Sequence, residues 1–159
     1  MGLDMYLYLR KYENCSRWNN NYEQKKDGFY PQELKAFADE ISNRDSMSKI
    51  TVYQVGYWRK AIAINRWFFN VCAKDNYDCQ MLYVSIGRAK ELRNLCNRVL
   101  EKHELAPSLL PVSDGVSFES QEYDDWYFNN IEYTKELLDK IIAFIDENGG
   151  YDIIYEASW

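Results

Sequence analysis

The chain begins with a segment in which aliphatic side chains alternate with aromatic and charged ones. In order, the segment contains Leu3, Asp4, Met5, Tyr6, Leu7, Tyr8, Leu9 and Arg10. Because successive side chains of a strand point to opposite faces, a period of two indicates β-structure. The pattern therefore predicts a strand over residues 3–12, with one aliphatic face and one aromatic and polar face.

Three later segments show the three- and four-residue apolar spacing of an amphipathic helix. They cover residues 57–72, the residues from Ser85 to about His103, and the residues that follow Asp124 and Asp125. Ser85 and one of these two aspartates are suitable N-caps, and a Gly-Gly pair at 149–150 ends the last helix. That helix has the most regular stripe, formed by Tyr127, Ile131, Thr134, Leu138, Ile141 and Ile145.

Weaker patterns occupy the rest of the chain. They predict a helix at 31–41, strands at 50–56, 116–118 and 151–155, and connections at 14–28, 43–48, 74–79 and 107–111. Strands near both ends with helices between them are typical of an α+β fold. We expect a small, mostly antiparallel sheet that includes both terminal strands and is covered by three to four helices. The length of 159 residues suits a single domain over residues 1–159.

Composition and charge narrow the classes of function. The net charge of −6 disfavours general binding to a nucleic-acid backbone. There is no secretory signal, and no apolar run approaches the roughly 18 residues that span a bilayer, so we expect a cytoplasmic protein without a membrane partner. Four cysteines without a CxxC pair and a single His, His103, do not fit a metal site. No cofactor is predicted, and a homo-oligomer is compatible with the sequence.

Aromatic residues make up 16% of the chain, and several lie beside charges. Tyr57 and Trp58 precede Arg59 and Lys60 where the predicted strand passes into the predicted helix. The N–H groups of a helix N-terminus attract anions, an Arg fork binds phosphate or carboxylate, and an aromatic ring offers a stacking surface. The segment thus predicts a site for a nucleotide or another phosphorylated molecule. The alternative is that Trp58 belongs to the core and both cations are solvated or paired with acids.

Further candidate ligand contacts lie at four other places along the chain. They are Asp4, Asn65, Trp67, Asp124, Asp125, Trp126 and Ser158. Capping accounts for only one of the two adjacent aspartates, so the other is available for a ribose hydroxyl, an amine or Arg59. A Trp within a helix, as predicted for Trp67, fits packing as well as stacking. No activated nucleophile accompanies the carboxylates, and no catalytic residue is predicted.

Six segments of this chain form a combined signature. They are Met1-Gly2-Leu3-Asp4-Met5-Tyr6-Leu7, Val55-Gly56-Tyr57-Trp58-Arg59-Lys60-Ala61, Trp67-Phe68, Leu109-Leu110-Pro111, Tyr123-Asp124-Asp125-Trp126-Tyr127 and Ser158-Trp159. Together they resemble a family of small, largely uncharacterised proteins that phages and prophages encode. Members usually carry His at the position of Asn65 and Ser at that of Ala157. The resemblance implies a phage accessory protein in the host cytoplasm, and in size and acidity the chain is similar to counter-defence proteins.

These observations lead to one favoured function and two alternatives. The favoured function is a counter-defence protein that binds and sequesters a small anionic, nucleotide-derived ligand. Arg59 and Lys60 would meet its phosphate, with stacking from Tyr57, Trp67 and Trp126 and polar contacts from Asp4, Asn65 and Asp124 or Asp125. The first alternative is a protein-binding inhibitor that places an acidic, Tyr-rich surface on a host defence enzyme. The second is a nucleotide-processing hydrolase or lyase. A concave pocket would favour the ligand, and a flat Tyr- and Asp-bearing face would favour the inhibitor.

Overall fold

The computed structural model describes residues 2–16, 18, 28–37, 46–73, 81–112 and 122–158. The chain divides into two compact units. The larger unit comprises Met1–Leu9 with Tyr53–Trp159, and the smaller unit comprises Arg10–Val52. The expectation of a single domain over residues 1–159 stays a prediction. The predicted elements at 38–41, 74–79 and 116–118 lie outside the described residues.

Four strands form one antiparallel sheet. They are β1 (Asp4–Ser16), β2 (Ser46–Arg59), β3 (Leu82–Val84) and β4 (Asp152–Ser158), in the spatial order β2-β1-β4-β3. The first and last strands therefore lie side by side at the centre. In the outer pair, Leu82 lies opposite Tyr155 and Val84 opposite Ile153. The predicted α+β fold, with both terminal strands in an antiparallel sheet, is confirmed.

Four α-helices with described bounds accompany the sheet, and residues 35–37 are also helical. They are α1 (Ile62–Cys72), α2 (Ile86–Glu101), α3 (Ala106–Leu109) and α4 (Asp125–Asn148), and short 3-10 helices cover Gln32–Leu34 and His103–Leu105. Ser85 Oγ accepts a hydrogen bond from the Arg88 N–H at 3.3 Å, and Asp124 Oδ1 accepts one from the Tyr127 N–H at 2.9 Å. Both predicted N-caps are thus confirmed. Gly149, with φ of 63°, ends α4 as predicted.

The core lies between one face of the sheet and the helices. Met5, Leu7 and Leu9 are buried on that face, as the alternation of β1 predicts. Phe68 of α1 stacks on Tyr155 of β4 with ring centroids 4.1 Å apart. The α2 helix packs on α4, and their buried faces include the predicted stripes. The regular apolar spacing of these two helices therefore reports their packing.

Several predicted boundaries are wrong. The β1 strand continues to Ser16, into the predicted 14–28 loop, and β2 runs from 46 to 59, across the predicted 43–48 connection and the predicted start of a helix. Gly56 and Trp58 are buried while Tyr57 and Arg59 are exposed, which is strand alternation. The predicted loop between Pro107 and Pro111 is helical over 106–109, because a proline at the helix N-terminus loses no hydrogen bond. The three-residue β3 has no counterpart in the sequence prediction.

The smaller unit has its own small apolar cluster. Cys15 and Met47 are 1% exposed and pack with the partly buried Phe29 and Tyr30. The Lys49 ammonium lies 3.4 Å from a Glu13 carboxylate oxygen and donates a hydrogen bond to the Phe29 carbonyl. Within the helix predicted at 31–41, residues 32–37 are helical, and the apolar side chains of Leu34 and Phe37 are exposed.

Candidate functional site

A cavity of about 270 Å³ opens in the larger unit between the start of α1 and the first half of α4. Its α1 side is formed by Lys60, Ala61, Ile62, Ala63 and Ile64, and its α4 side by Asp124, Trp126, Tyr127, Asn130 and Ile131. Val112 and Glu122 also line it. The volume lies just below the range of about 300–1,000 Å³ usual for ligand sites. The cavity therefore suits a small ligand.

A tight turn brings Lys60 to this cavity. Lys60 has φ of 61°, and it is the only non-glycine residue with positive φ in the described part of the chain. Its N–H donates to the Leu3 carbonyl at 2.8 Å, and its own carbonyl accepts from the Ile62 N–H at 3.0 Å. Ala61, with φ of −82° and ψ of 71°, is the centre of an inverse γ-turn. A left-handed Lys costs about 1–2 kcal/mol, so the surrounding hydrogen bonds hold a strained residue at the cavity edge.

The first turn of α1 faces the cavity without a cap. No side chain caps this helix, and its first turn contains no acidic residue. The N–H groups of Ile62 and Asn65 donate to the Lys60 and Ala61 carbonyls, while Ala63 and Ile64 between them line the cavity. N–H groups at a helix start carry partial positive charge and attract anions. This wall is thus the positive side of the site, together with Lys60.

The opposite wall supplies an aromatic ring and carboxylates. The Trp126 side chain is 56% exposed, and the Asn130 side-chain amide donates to the Trp126 carbonyl at 2.8 Å. One carboxylate oxygen of Asp124 caps α4, so the cap does not use the second oxygen. Tyr127 is buried and donates its hydroxyl to the Leu110 carbonyl at 2.8 Å, and burial raises its pKa. The lining therefore combines a cationic edge, an open aromatic ring and acceptors for hydroxyl groups.

Three of the predicted ligand contacts meet at this cavity, namely Lys60, Asp124 and Trp126. Asp125 is exposed in the first turn of α4 and does not line it. The anion-binding helix start predicted at Arg59 and Lys60 lies further along the chain, since α1 begins at Ile62. That expectation is corrected, because residues 57–59 belong to β2.

Three other predicted contacts lie away from the cavity. Trp58 is 2% exposed and donates its indole N–H to Thr134 Oγ1 at 2.8 Å. Trp67 is buried and packs edge-on against Phe68. Asn65 Oδ1 accepts a hydrogen bond from the Tyr155 hydroxyl at 2.6 Å. These side chains serve packing and internal hydrogen bonding in the larger unit.

The remaining predicted contacts lie on the sheet face opposite the core. The Tyr57 hydroxyl donates to Asp4 Oδ1 at 2.6 Å, and this hydrogen bond raises the pKa of Tyr57. The ring of Tyr6 lies 5.4 Å from that of Tyr57, centroid to centroid. Arg59 and Ser158 are exposed at strand ends. The predicted set is thus divided between a cavity, the core and an outer sheet face.

Several residues of the cavity and of the outer sheet face were not predicted from the sequence. Glu122 and Asn130 line the cavity, and the sequence feature that could have identified them is their position near the aromatic segment at 123–127. On the outer face, burial, followed by the interaction with the nearby Glu156 carboxylate, raises the pKa of Tyr8. The alternation of β1 predicted the sheet face on which Tyr8 lies, whereas no local sequence pattern predicted that Glu156 lies near it.

Within the described part of the chain, neither a metal-binding cluster nor a membrane-spanning helix is present. No three His, Cys, Asp or Glu side chains there are grouped to hold a metal ion. Nor is any helix within the described ranges both long and apolar enough to cross a membrane. The His103 ring stacks on Phe128 at 3.9 Å, outside the cavity lining. Comparisons with family models, curated proteins and solved structures gave no match.

Proposed function

We propose that the cavity binds a small anionic ligand the size of a nucleoside monophosphate. The observation that carries this proposal is the juxtaposition of three features around one cavity. They are the uncapped first turn of α1, the strained Lys60 beside it, and the exposed ring of Trp126 on the opposite wall. Strain held at a site is a feature of ligand-binding positions.

Each part of such a ligand has a matching group. The phosphate would accept hydrogen bonds from the N–H groups of Ala63 and Ile64 and pair with the Lys60 ammonium. The base would stack on Trp126, where aromatic stacking typically contributes about 1–3 kcal/mol. The ribose hydroxyls would donate to the carboxylates of Glu122 and Asp124.

The same lining sets the selectivity that we expect. Two carboxylates near the phosphate site repel a bare anion, so inorganic phosphate should bind more weakly than a molecule that also donates hydrogen bonds. The volume of about 270 Å³ favours one nucleotide over a cyclic oligonucleotide. The net charge of −6 opposes a long phosphate backbone.

We further propose that the ligand is held and not transformed. Among the described residues, the cavity is lined by two carboxylates and a lysine, without a Ser, Cys or His side chain. In the setting that the resemblance to phage proteins implies, sequestration of a nucleotide-derived signal would be sufficient for counter-defence. Incubation followed by mass spectrometry checks this part, since loss of ligand mass would support the nucleotide-processing alternative.

A thermal-shift panel tests the site. It contains nucleoside monophosphates, cyclic dinucleotides, ADP-ribose and inorganic phosphate. A binder at one hundred times its Kd adds about 2.7 kcal/mol, or roughly 5–10 °C for a chain of this size. Lys60→Gly and Trp126→Ala should abolish the shift.

The matched controls are Arg59→Ala and Trp18→Ala. They remove a neighbouring cation and another exposed indole, neither of which lines the cavity. Both controls should keep the full shift. A panel without any shift, or a shift that Arg59→Ala removes and Lys60→Gly preserves, would contradict the proposal.

The outer sheet face supports a second candidate function, binding to a protein. Tyr6, Tyr8 and Tyr57 lie in a row on this face with Asp4 and Glu156 beside them. Tyr is enriched at protein interfaces because it offers large contact area and a polar tip. Capture of a host defence enzyme by the wild type and by Lys60→Gly, but not by Tyr57→Ala, would favour this function over the ligand.

A further inference from the structure

A second concavity, an apolar groove of about 440 Å³, lies between the C-terminal half of α4 and strands β1 and β2 in the larger unit. Its lining residues are Leu9, Tyr53, Val55, Leu137, Lys140, Ile141, Phe144 and Tyr151. No described residue lines both this groove and the cavity proposed above to bind a nucleotide. We call it the α4 groove.

Strand β2 forms one wall of the α4 groove. Further along this strand, Gly56 and Trp58 lie towards α4, because a Cβ on Gly56 would overlap Leu137 Cδ2 and Trp58 bonds Thr134. Tyr53 and Val55 line the groove, and Val55 is partly buried against the core. The strand thus contributes an aromatic and an aliphatic residue to this concavity.

The α4 groove leaves unusual apolar surface in water. Tyr53 is 52% exposed and Phe144 is 37% exposed, while the Phe144 ring packs edge-on against Tyr151 at 5.0 Å. Beneath them, Leu9 and Ile141 are buried and form the floor. Covering such a surface is favourable in proportion to the apolar area removed from water.

Volume and charge decide which occupant fits. The groove volume of about 440 Å³ lies within the range of small-molecule sites. A stable protein partner would instead have to bury about 800 Å² of surface on this chain. Among the described residues, Lys140 is the only charged one in the lining, and no acid forms a salt bridge with it. We propose that the α4 groove binds an apolar molecule with an acidic head, of the class of fatty acids, whose carboxylate pairs with Lys140.

The test uses decanoate as the probe and decanol as its uncharged match, with binding to the full chain measured by NMR titration. We expect saturable binding of decanoate and about threefold weaker binding of decanol, because an exposed charge pair contributes little. Lys140→Gln should weaken decanoate about threefold and leave decanol unchanged. Phe144→Ala should weaken both by tenfold or more.

Two control variants keep the result tied to the groove. Lys102→Gln removes an exposed lysine outside the lining, and Trp126→Ala alters the nucleotide cavity. Both should bind decanoate like the wild type. Absence of decanoate binding, equal loss in Lys102→Gln and Lys140→Gln, or binding that survives Phe144→Ala would each overturn the proposal. Because the two sites are separate, failure here leaves the nucleotide test unaffected.

Discussion

Replacing Thr134 with Val removes the acceptor of a buried hydrogen bond between α4 and β2. Thr134 is fully buried, and its Oγ1 lies 2.8 Å from the indole nitrogen of Trp58, itself 2% exposed. Thr134 Oγ1 also donates to the Asn130 carbonyl at 2.6 Å. Val keeps the shape and the β-branch of Thr, so the variant changes hydrogen bonding and leaves packing nearly intact.

The expected cost follows from the group that is left without a partner. The Trp58 N–H would be buried and unsatisfied, which costs about 1–3 kcal/mol. Losing the second bond adds little, because the Asn130 carbonyl keeps the main-chain N–H of residue 134 within the helix. The helix propensities of Thr and Val are similar. We therefore expect Thr134→Val to lower the free energy of unfolding by about 2 kcal/mol.

Urea denaturation followed by far-UV circular dichroism measures this loss. With a slope of about 2 kcal/mol per molar urea, the midpoint should fall by about 1 M. A double-mutant cycle isolates the bond. In a Trp58→Phe background there is no indole N–H that could be left without a partner, so Thr134→Val should cost less than about 0.5 kcal/mol. Equal costs in the two backgrounds, or a loss below about 0.5 kcal/mol in the wild type, would refute the reasoning.

Three further predictions concern strain, close packing and pH. Lys60→Gly should leave the free energy of unfolding unchanged or raise it by up to about 1 kcal/mol, because glycine relieves the left-handed backbone. The control Arg59→Gly, in the neighbouring strand, should cost about 0.5–1 kcal/mol. A Lys60→Gly variant that is less stable than the wild type would contradict the claim that Lys60 is strained. Gly56→Ala should lower the free energy of unfolding in urea by about 1–3 kcal/mol, because the new Cβ would meet Leu137 Cδ2 and lie 3.2 Å from the Leu7 Cβ. An equal cost in a Leu137→Ala background would exclude the clash with Leu137 as the cause. Burial raises the pKa of Cys96 to about 12, so the thiol stays protonated in the folded chain while the unfolded chain ionises. Unfolding free energy should then fall above about pH 8.5, by about 1.4 kcal/mol per pH unit from this thiol, and equal urea midpoints at pH 8 and pH 10.5 would contradict this.

Local patterns predicted those parts of the fold that are locally determined. The stripe and N-cap of α4 follow from spacing and from Asp124, and the aliphatic face of β1 follows from its alternation. The extension of β2 to Arg59 was not predictable in the same way. Tyr57 and Trp58 fit both a helical stripe and a strand, and pairing with β1 decides between them.

The candidate site shows the same division. Lys60 and Trp126 were named because aromatic residues beside charges stand out in the sequence. Trp58 and Trp67 have the same local signal, yet tertiary packing buries both. The uncapped start of α1 was not predicted, since its position depends on where β2 ends and on the turn at Lys60.

A titration of the ¹⁵N-labelled chain with adenosine 5′-monophosphate, followed by amide NMR, tests the central claim most directly. The account predicts saturable shifts of the Ala63 and Ile64 amides and of the Trp126 indole N–H, all with one Kd, and their loss in Lys60→Gly. Amides of the outer sheet face around Asp4 and Tyr57 should not move. Shifts confined to that outer face, or an unchanged spectrum at millimolar nucleotide, would contradict a nucleotide site at the start of α1.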